Sequence, residues 1–85
     1  LRNEHELSRI RESMIDMGVK VGKSVVTKST ILTNSVIGDS CIISDSMIGK
    51  NTHIGDNCVI ENAIIAHDST VPTGTKIVGG TWPIA

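Results

Sequence analysis

Three histidines are the side chains of this sequence best suited to chemistry near neutral pH. They are His5, His53 and His67. A neutral imidazole can bind a metal ion such as zinc or act as a general base in group transfer. A three-histidine metal site needs convergent rings, and His5 lies in a different segment from His53 and His67. We therefore predict no metal site and keep His53 and His67 as candidate catalytic bases.

Cys41 and Cys58 are the second pair of side chains with reactive chemistry. One interpretation is a disulfide. The other is a pair of small, reduced core residues at equivalent positions of a repeat. We favour the second interpretation for two reasons. Cytosolic thiols stay reduced, and the Cα–Cβ bonds of side chains stacked in register point in directions that do not suit a disulfide.

The remaining charged residues do not form a recognisable site. No two carboxylates are spaced as an acid/base pair among the five of the central region, Asp39, Asp45, Asp56, Glu61 and Asp68. Three lysines near the start cluster loosely, at Lys20, Lys23 and Lys28. We interpret them as a solvated outer face, with an anion site as the alternative.

These residues are positioned by an internal repeat over residues 31–77. Ile or Val recurs in steps of six, six and five, and the same sequence of steps then starts again. The three columns that result are Ile31, Ile48 and Ile65; Ile37, Ile54 and Val71; and Ile43, Ile60 and Ile77. A fixed period of this kind indicates a repeat architecture, in which neighbouring units bury each other's apolar faces.

The steps predict a three-sided coil of short parallel strands. Each leading Ile or Val points inward and stacks on its copy one rung away. The fourth residue of each six-residue step turns a corner with positive φ, which Gly, Asn and Asp tolerate best. These residues are Asn34, Asn51, Asp68, Ser40, Asn57 and Gly74. The fifth residue is small and points inward, and both cysteines occupy this position.

The two ends differ from the repeat. Leu7, Ile10, Met14 and Met17 have helical spacing, and Gly18 is a natural helix stop, so we predict an amphipathic linker or capping helix over 1–18. We assign the coil to 19–85, with an irregular first turn over 19–30. Trp82 falls where the next leading Ile would stand, which predicts a C-terminal cap over 79–85.

Net charge and the length of apolar runs exclude some classes of binding partner. The chain has 85 residues and a formal net charge of −1, so it lacks the basic surface expected of a nucleic-acid-binding domain. No apolar run is long enough to span a membrane as a helix, and no signal peptide is recognisable, so we expect no membrane partner and a cytoplasmic location.

A family resemblance sharpens the fold prediction. The steps Ile37-Gly-Asp-Ser-Cys-Ile, Ile48-Gly-Lys-Asn-Thr-His and Ile54-Gly-Asp-Asn-Cys-Val resemble the hexapeptide repeat of left-handed β-helix proteins. The resemblance implies an all-β fold, a single-stranded left-handed parallel β-helix of about three to four rungs, here with a short N-terminal α-helix.

The five-residue steps carry a second resemblance. Asn34-Ser-Val-Ile-Gly, Asp45-Ser-Met-Ile-Gly and Asn62-Ala-Ile-Ile-Ala look like repeats in the C-terminal β-helices of sugar-1-phosphate nucleotidyltransferases. These include ADP-glucose and GDP-mannose pyrophosphorylases and N-acetylglucosamine-1-phosphate uridylyltransferases. The resemblance implies an oligomerisation or regulatory domain, partnered by an N-terminal nucleotide-binding domain that would carry the catalytic residues, with no cofactor bound in this segment. We expect a homo-oligomer.

Two enzymatic alternatives share the same repeat. The fold also resembles trimeric hexapeptide acyltransferases that use acetyl-CoA, in which His53 or His67 would be the general base. Such enzymes commonly carry a loop that leaves the coil, and no segment here is long enough to form one. The β-helical carbonic anhydrases are the third resemblance, and they would require a zinc site.

Overall fold

The computed structural model describes residues 8–84, which form a three-sided coil of fourteen short parallel strands. Face A consists of β1 (Arg9–Arg11), β4 (Val25–Thr27), β7 (Ile42–Ser44), β10 (Val59–Glu61) and β13 (Lys76–Val78). Face B consists of β2 (Met14–Ile15), β5 (Thr30–Ile31), β8 (Met47–Ile48), β11 (Ile64–Ile65) and β14 (Thr81–Trp82). Face C consists of β3 (Lys20–Val21), β6 (Val36–Ile37), β9 (His53–Ile54) and β12 (Thr70–Val71). Four turns are complete, and β13 and β14 begin a fifth.

The aliphatic columns form the core as the repeat predicted. On face C, Ile37 pairs in register with Ile54, and Ile54 with Val71. Each of these three side chains is only 1% exposed. Because each strand is two or three residues long, almost all of its apolar burial comes from the turns above and below it.

Backbone hydrogen bonds run along the coil axis. The Gly38 N–H donates to the Ile54 carbonyl at 2.8 Å, and the Lys20 N–H donates to the Ser35 carbonyl at 3.0 Å. Inward hydroxyls add a second ladder, since the Thr52 N–H donates to Ser35 Oγ at 3.0 Å. Within residues 8–84, no buried side-chain nitrogen or oxygen lacks a hydrogen-bond partner. The interior can therefore hold small polar side chains without an unpaired polar atom.

The predicted corner residues all have positive φ. Asn34, Asn51 and Asp68 have φ of 58°, 52° and 59°, while Ser40 and Asn57 have 59° and 58°. Gly74 follows at 79°. A second set of corners uses less tolerant residues as well, with Glu12 at 52° and Lys28 at 49°. The coil thus imposes the left-handed conformation even where the side chain does not favour it.

The predicted N-terminal helix is wrong over residues 8–18, and its first seven residues lie outside the described part of the chain. Arg9–Arg11 and Met14–Ile15 are strands of faces A and B, and no helix occurs within residues 8–84. Ile10 pairs with Val26, and Ile15 with Ile31. These residues therefore form the first turn of the coil and extend the aliphatic columns.

A shortened step explains why this turn resembled a helix. The step from Val21 to Val26 is shorter by one position than the equivalent step from Ile37 to Ile43. Paired residues that span it, such as Ile15 and Ile31, are therefore closer in sequence than the pairs of later turns. The period of the later turns therefore does not relate Ile15 to Ile31, and the spacing of the apolar residues in this segment also fits a helix. Met14 and Met17, assigned to the apolar helix face, are in fact 60% and 82% exposed.

Trp82 occupies the position expected from the repeat. Trp82 lies in β14 and pairs in register with Ile65 of β11. Its side chain is partly buried and packs against the core. The segment assigned as a cap over 79–85 therefore contains a regular strand, Thr81–Trp82, and residue 85 lies outside the described part.

Candidate functional site

The structure separates the candidate histidines. His53 lies in β9 on face C, exposed, with Val36 and Thr70 as its register partners. His67 lies in the turn before β12, exposed, above Lys50. They occupy adjacent turns but different columns, as predicted, and both point outward. His5 lies outside the described residues.

The hydrogen bond of His67 limits what its ring can do. The Lys50 backbone N–H donates to His67 Nδ1 at 2.8 Å. A neutral ring that accepts at Nδ1 carries its proton on Nε2, so the outer nitrogen cannot act as a base in this state. The ring of His53 makes no hydrogen bond within residues 8–84, which leaves it the less constrained candidate.

Two aspartates play the same structural role as His67 on a neighbouring corner. The Lys23 N–H donates to Asp39 Oδ1 and the Asp39 N–H to Asp56 Oδ1, both at 2.8 Å. Asp39 and Asp56 also explain why glycine occupies positions 22 and 38, because each carboxylate lies where a Cβ atom would be. A Cβ on Gly38 would collide with the Asp56 carboxylate and lie 2.9 Å from the Asp56 nitrogen. These carboxylates therefore serve the backbone of the coil.

No metal centre is formed in the part of the chain that the structure describes. No group of three or more His, Cys, Asp or Glu side chains there could hold a metal ion. The three lysines that cluster loosely in the sequence do not lie together in the structure. Lys20 and Lys23 border a groove of about 320 Å³ beside Asp39, whereas Lys28 lines a different groove, at the corner between faces A and B. The loose lysine cluster of the sequence is thus not one site.

The cysteines are free and buried, as predicted. Cys41 Sγ and Cys58 Sγ lie 3.1 Å from the carbonyl oxygens of Gly55 and Pro72. Burial raises the pKa of the Cys41 thiol, which keeps it protonated and unreactive near neutral pH. Both residues act as packing groups.

No loop leaves the coil between residues 8 and 84. The longest connections between strands have four residues, such as 16–19 between β2 and β3. A pocket of the kind that an excursion loop would shape is therefore not built by these residues. The feature of the surface that stands out is apolar, and sequence reasoning missed it. The outward residues of face B include Met14, Met47 and Ile64, which are 60%, 45% and 51% exposed. The sequence contains this apolar pattern at the residue that precedes each leading Ile of face B, because that preceding residue faces outward.

A family comparison agrees with this geometry. The model described as "GlmU-like, C-terminal hexapeptide" matches residues 1–81. The chain belongs to this family. Membership makes the coil a left-handed parallel β-helix built from hexapeptide repeats. No curated protein matched the chain.

Membership of the GlmU-like C-terminal hexapeptide family thus accounts for the coil and its corners. Within residues 8–84, no helix is both long and apolar enough to cross a membrane.

Proposed function

We propose that this chain is the C-terminal assembly domain of a sugar-1-phosphate nucleotidyltransferase. The observation that carries the proposal is the match to the GlmU-like C-terminal hexapeptide family over residues 1–81. In this proposal an N-terminal nucleotide-binding domain of the same polypeptide performs nucleotidyl transfer. The coil contributes self-association and, through it, regulation.

The surface chemistry supports an assembly role. Reactive side chains do not converge within residues 8–84: His53 and His67 lie in different columns, and Asp39 and Asp56 accept hydrogen bonds from the backbone. Exposed aliphatic side chains, in contrast, recur on the outer face of successive turns. Rigid faces with exposed apolar residues suit contact with another protein surface.

The proposal also places the protein in the cytoplasm. In that compartment the two free, buried thiols would stay reduced. Nucleotide sugars as products of the intact polypeptide are part of the same proposal.

The test is an assay of the intact polypeptide that contains this chain. Each nucleoside triphosphate is paired with a panel of sugar 1-phosphates, and released pyrophosphate is measured. We expect turnover with at least one pair, and the same turnover in the His53→Ala and His67→Ala variants. Absence of turnover with every pair would refute the nucleotidyltransferase assignment.

A second candidate is an acyltransferase that uses acetyl-CoA. The exposed, unbonded ring of His53 favours it, because a general base needs a free nitrogen at the surface. This candidate predicts that His53→Ala abolishes acetyl transfer. It predicts a smaller effect for His67→Ala, whose Nδ1 is already engaged.

A further inference from the structure

The third residue of a six-residue step can support the backbone of the preceding turn. At the corner between faces C and A this residue is an aspartate. The Lys23 N–H donates to Asp39 Oδ1, and the Asp39 N–H donates to Asp56 Oδ1, both at 2.8 Å. At the corner between faces B and C, His67 holds the equivalent position, and its Nδ1 accepts from the Lys50 N–H at 2.8 Å. An imidazole thus has the structural role that carboxylates have on the neighbouring corner.

The two kinds of acceptor respond differently to acid. A carboxylate ordinarily ionises at about pH 4 and keeps its acceptor oxygens throughout the neutral range. Histidine ordinarily gains a proton at about pH 6.5, and the imidazolium then carries an N–H on both nitrogens. Rotation of the ring cannot restore the bond, because neither nitrogen still accepts. The bond from the Lys50 N–H therefore requires a neutral His67 ring, and it is lost as the pH falls.

The groups around the His67 ring do not change this direction. Lys50 carries a positive charge on the preceding turn, and Asp68 carries a negative charge beside His67 on its own turn. Ile84, which holds the equivalent position on the following turn, is uncharged. All four residues are exposed, so water screens the two opposite charges and protons reach the ring freely. Loss of the acceptor, and not repulsion between charges, thus sets the response to acid.

We propose that His67 is a pH-sensitive support of the corner between faces B and C. Its neutral ring holds the Lys50 N–H, and its protonated ring releases it. Other bonds across this corner do not involve the ring. The Asp68 N–H donates to the Lys50 carbonyl at 2.8 Å, and Thr52 Oγ1 donates to the Ala66 carbonyl at 3.1 Å. Acidification therefore loosens this corner locally and leaves the stacking of the turns intact.

Hydrogen exchange of the backbone amides, followed by NMR of the isotope-labelled protein, is the test. Exchange is measured at about pH 7.5 and about pH 5, on either side of the ordinary titration of histidine. Protection factors remove the intrinsic pH dependence of exchange. We expect the protection of the Lys50 amide to fall about three- to tenfold at the lower pH, as for the loss of one hydrogen bond. The amides of Lys23 and Asp39 are internal references that should not change, because carboxylates hold them.

The chain offers a matched pair of variants, His67→Asn and His53→Asn. An asparagine offers a carbonyl oxygen that does not titrate, so His67→Asn should make the protection of the Lys50 amide independent of pH. His53 is an exposed histidine on the next face, and its ring makes no hydrogen bond within residues 8–84. His53→Asn should therefore keep the pH dependence of the parent. Circular dichroism checks that both variants are folded, and His67→Asp replaces His67→Asn if that variant is unfolded.

Three results would overturn the proposal. The first is equal protection of the Lys50 amide at both pH values in the parent protein. The second is a fall in His67→Asn as large as that in the parent, which would assign the response to another group. The third is an equal fall at the Lys23 and Asp39 amides, which would indicate a general loosening of the coil. The pyrophosphate assay tests nucleotidyl transfer separately from all three.

Discussion

Replacement of Ile54 by Asp tests the aliphatic columns directly. Ile54 is 1% exposed and lies in register between Ile37 and Val71. Truncation of such a residue to Ala typically costs about 2–5 kcal/mol. Asp adds the burial of a carboxylate among methyl groups, which costs several kcal/mol more. The sum is comparable to the whole stability of a small domain, about 5–15 kcal/mol. We therefore expect Ile54→Asp to be unfolded or nearly so at neutral pH.

The neighbouring residue supplies the control. His53 precedes Ile54 in β9 but is exposed, so His53→Asp changes the same strand on its outer side. We expect its effect to stay within about 0.5 kcal/mol, as is usual for surface substitutions. Urea denaturation followed by circular dichroism gives the free energy of unfolding for each variant. Ile54→Ala is measured beside them, with an expected loss of about 2–5 kcal/mol. If Ile54→Asp unfolds at the same urea concentration as His53→Asp, the inward column is assigned incorrectly.

Three further predictions concern the corners, the glycines and the thiols. Asn57 has a φ of 58°, so Asn57→Val should lower the free energy of unfolding by about 1–2 kcal/mol in urea titrations, whereas Asn57→Gly should not; equal stability of the two would contradict the corner assignment. Gly38→Ala should destabilise the coil by about 1–3 kcal/mol, because its methyl group meets the Asp56 carboxylate and backbone, and a thermal midpoint equal to that of the parent would exclude this close approach. Cys41 and Cys58 should react with a thiol reagent at pH 8 only after urea is added, since both are buried and the pKa of Cys41 is raised; rapid labelling of the folded protein would show that the thiols are accessible.

The regular part of the fold could be predicted because its signals are local and repeated. Each corner needs a positive φ, and residues such as Asn51 and Asn57 tolerate it. Each inward position needs an aliphatic residue of one size, which the Ile and Val columns provide. Because these requirements recur in every turn, the register of the strands can be predicted from a single sequence.

The first turn could not be predicted by the same route. Ile10 and Ile15 belong to the columns, but the five-residue step after Val21 shifts them by one residue relative to the later turns. Glu12 at a corner removes the second signal, because a glutamate gives no indication of positive φ. With both signals lost, apolar spacing alone favoured a helix, although the positions of Ile10 and Ile15 are set by pairing with the next turn.

The candidate site was predicted only in part. The outward positions of His53 and His67 follow from their places in the steps, and the structure agrees. The bond from the Lys50 N–H to His67 Nδ1 could not be foreseen, since it joins two turns through a ring orientation. The apolar outer column of face B was readable in principle, but it emerges only when outward residues are compared between faces.

We propose that this coil assembles a protein and performs no chemistry of its own. Isothermal titration of acetyl-CoA into the protein, at concentrations where it self-associates, tests that claim most directly. The account predicts no saturable heat of binding. Saturable binding in proportion to the number of copies would contradict it and favour the acyltransferase.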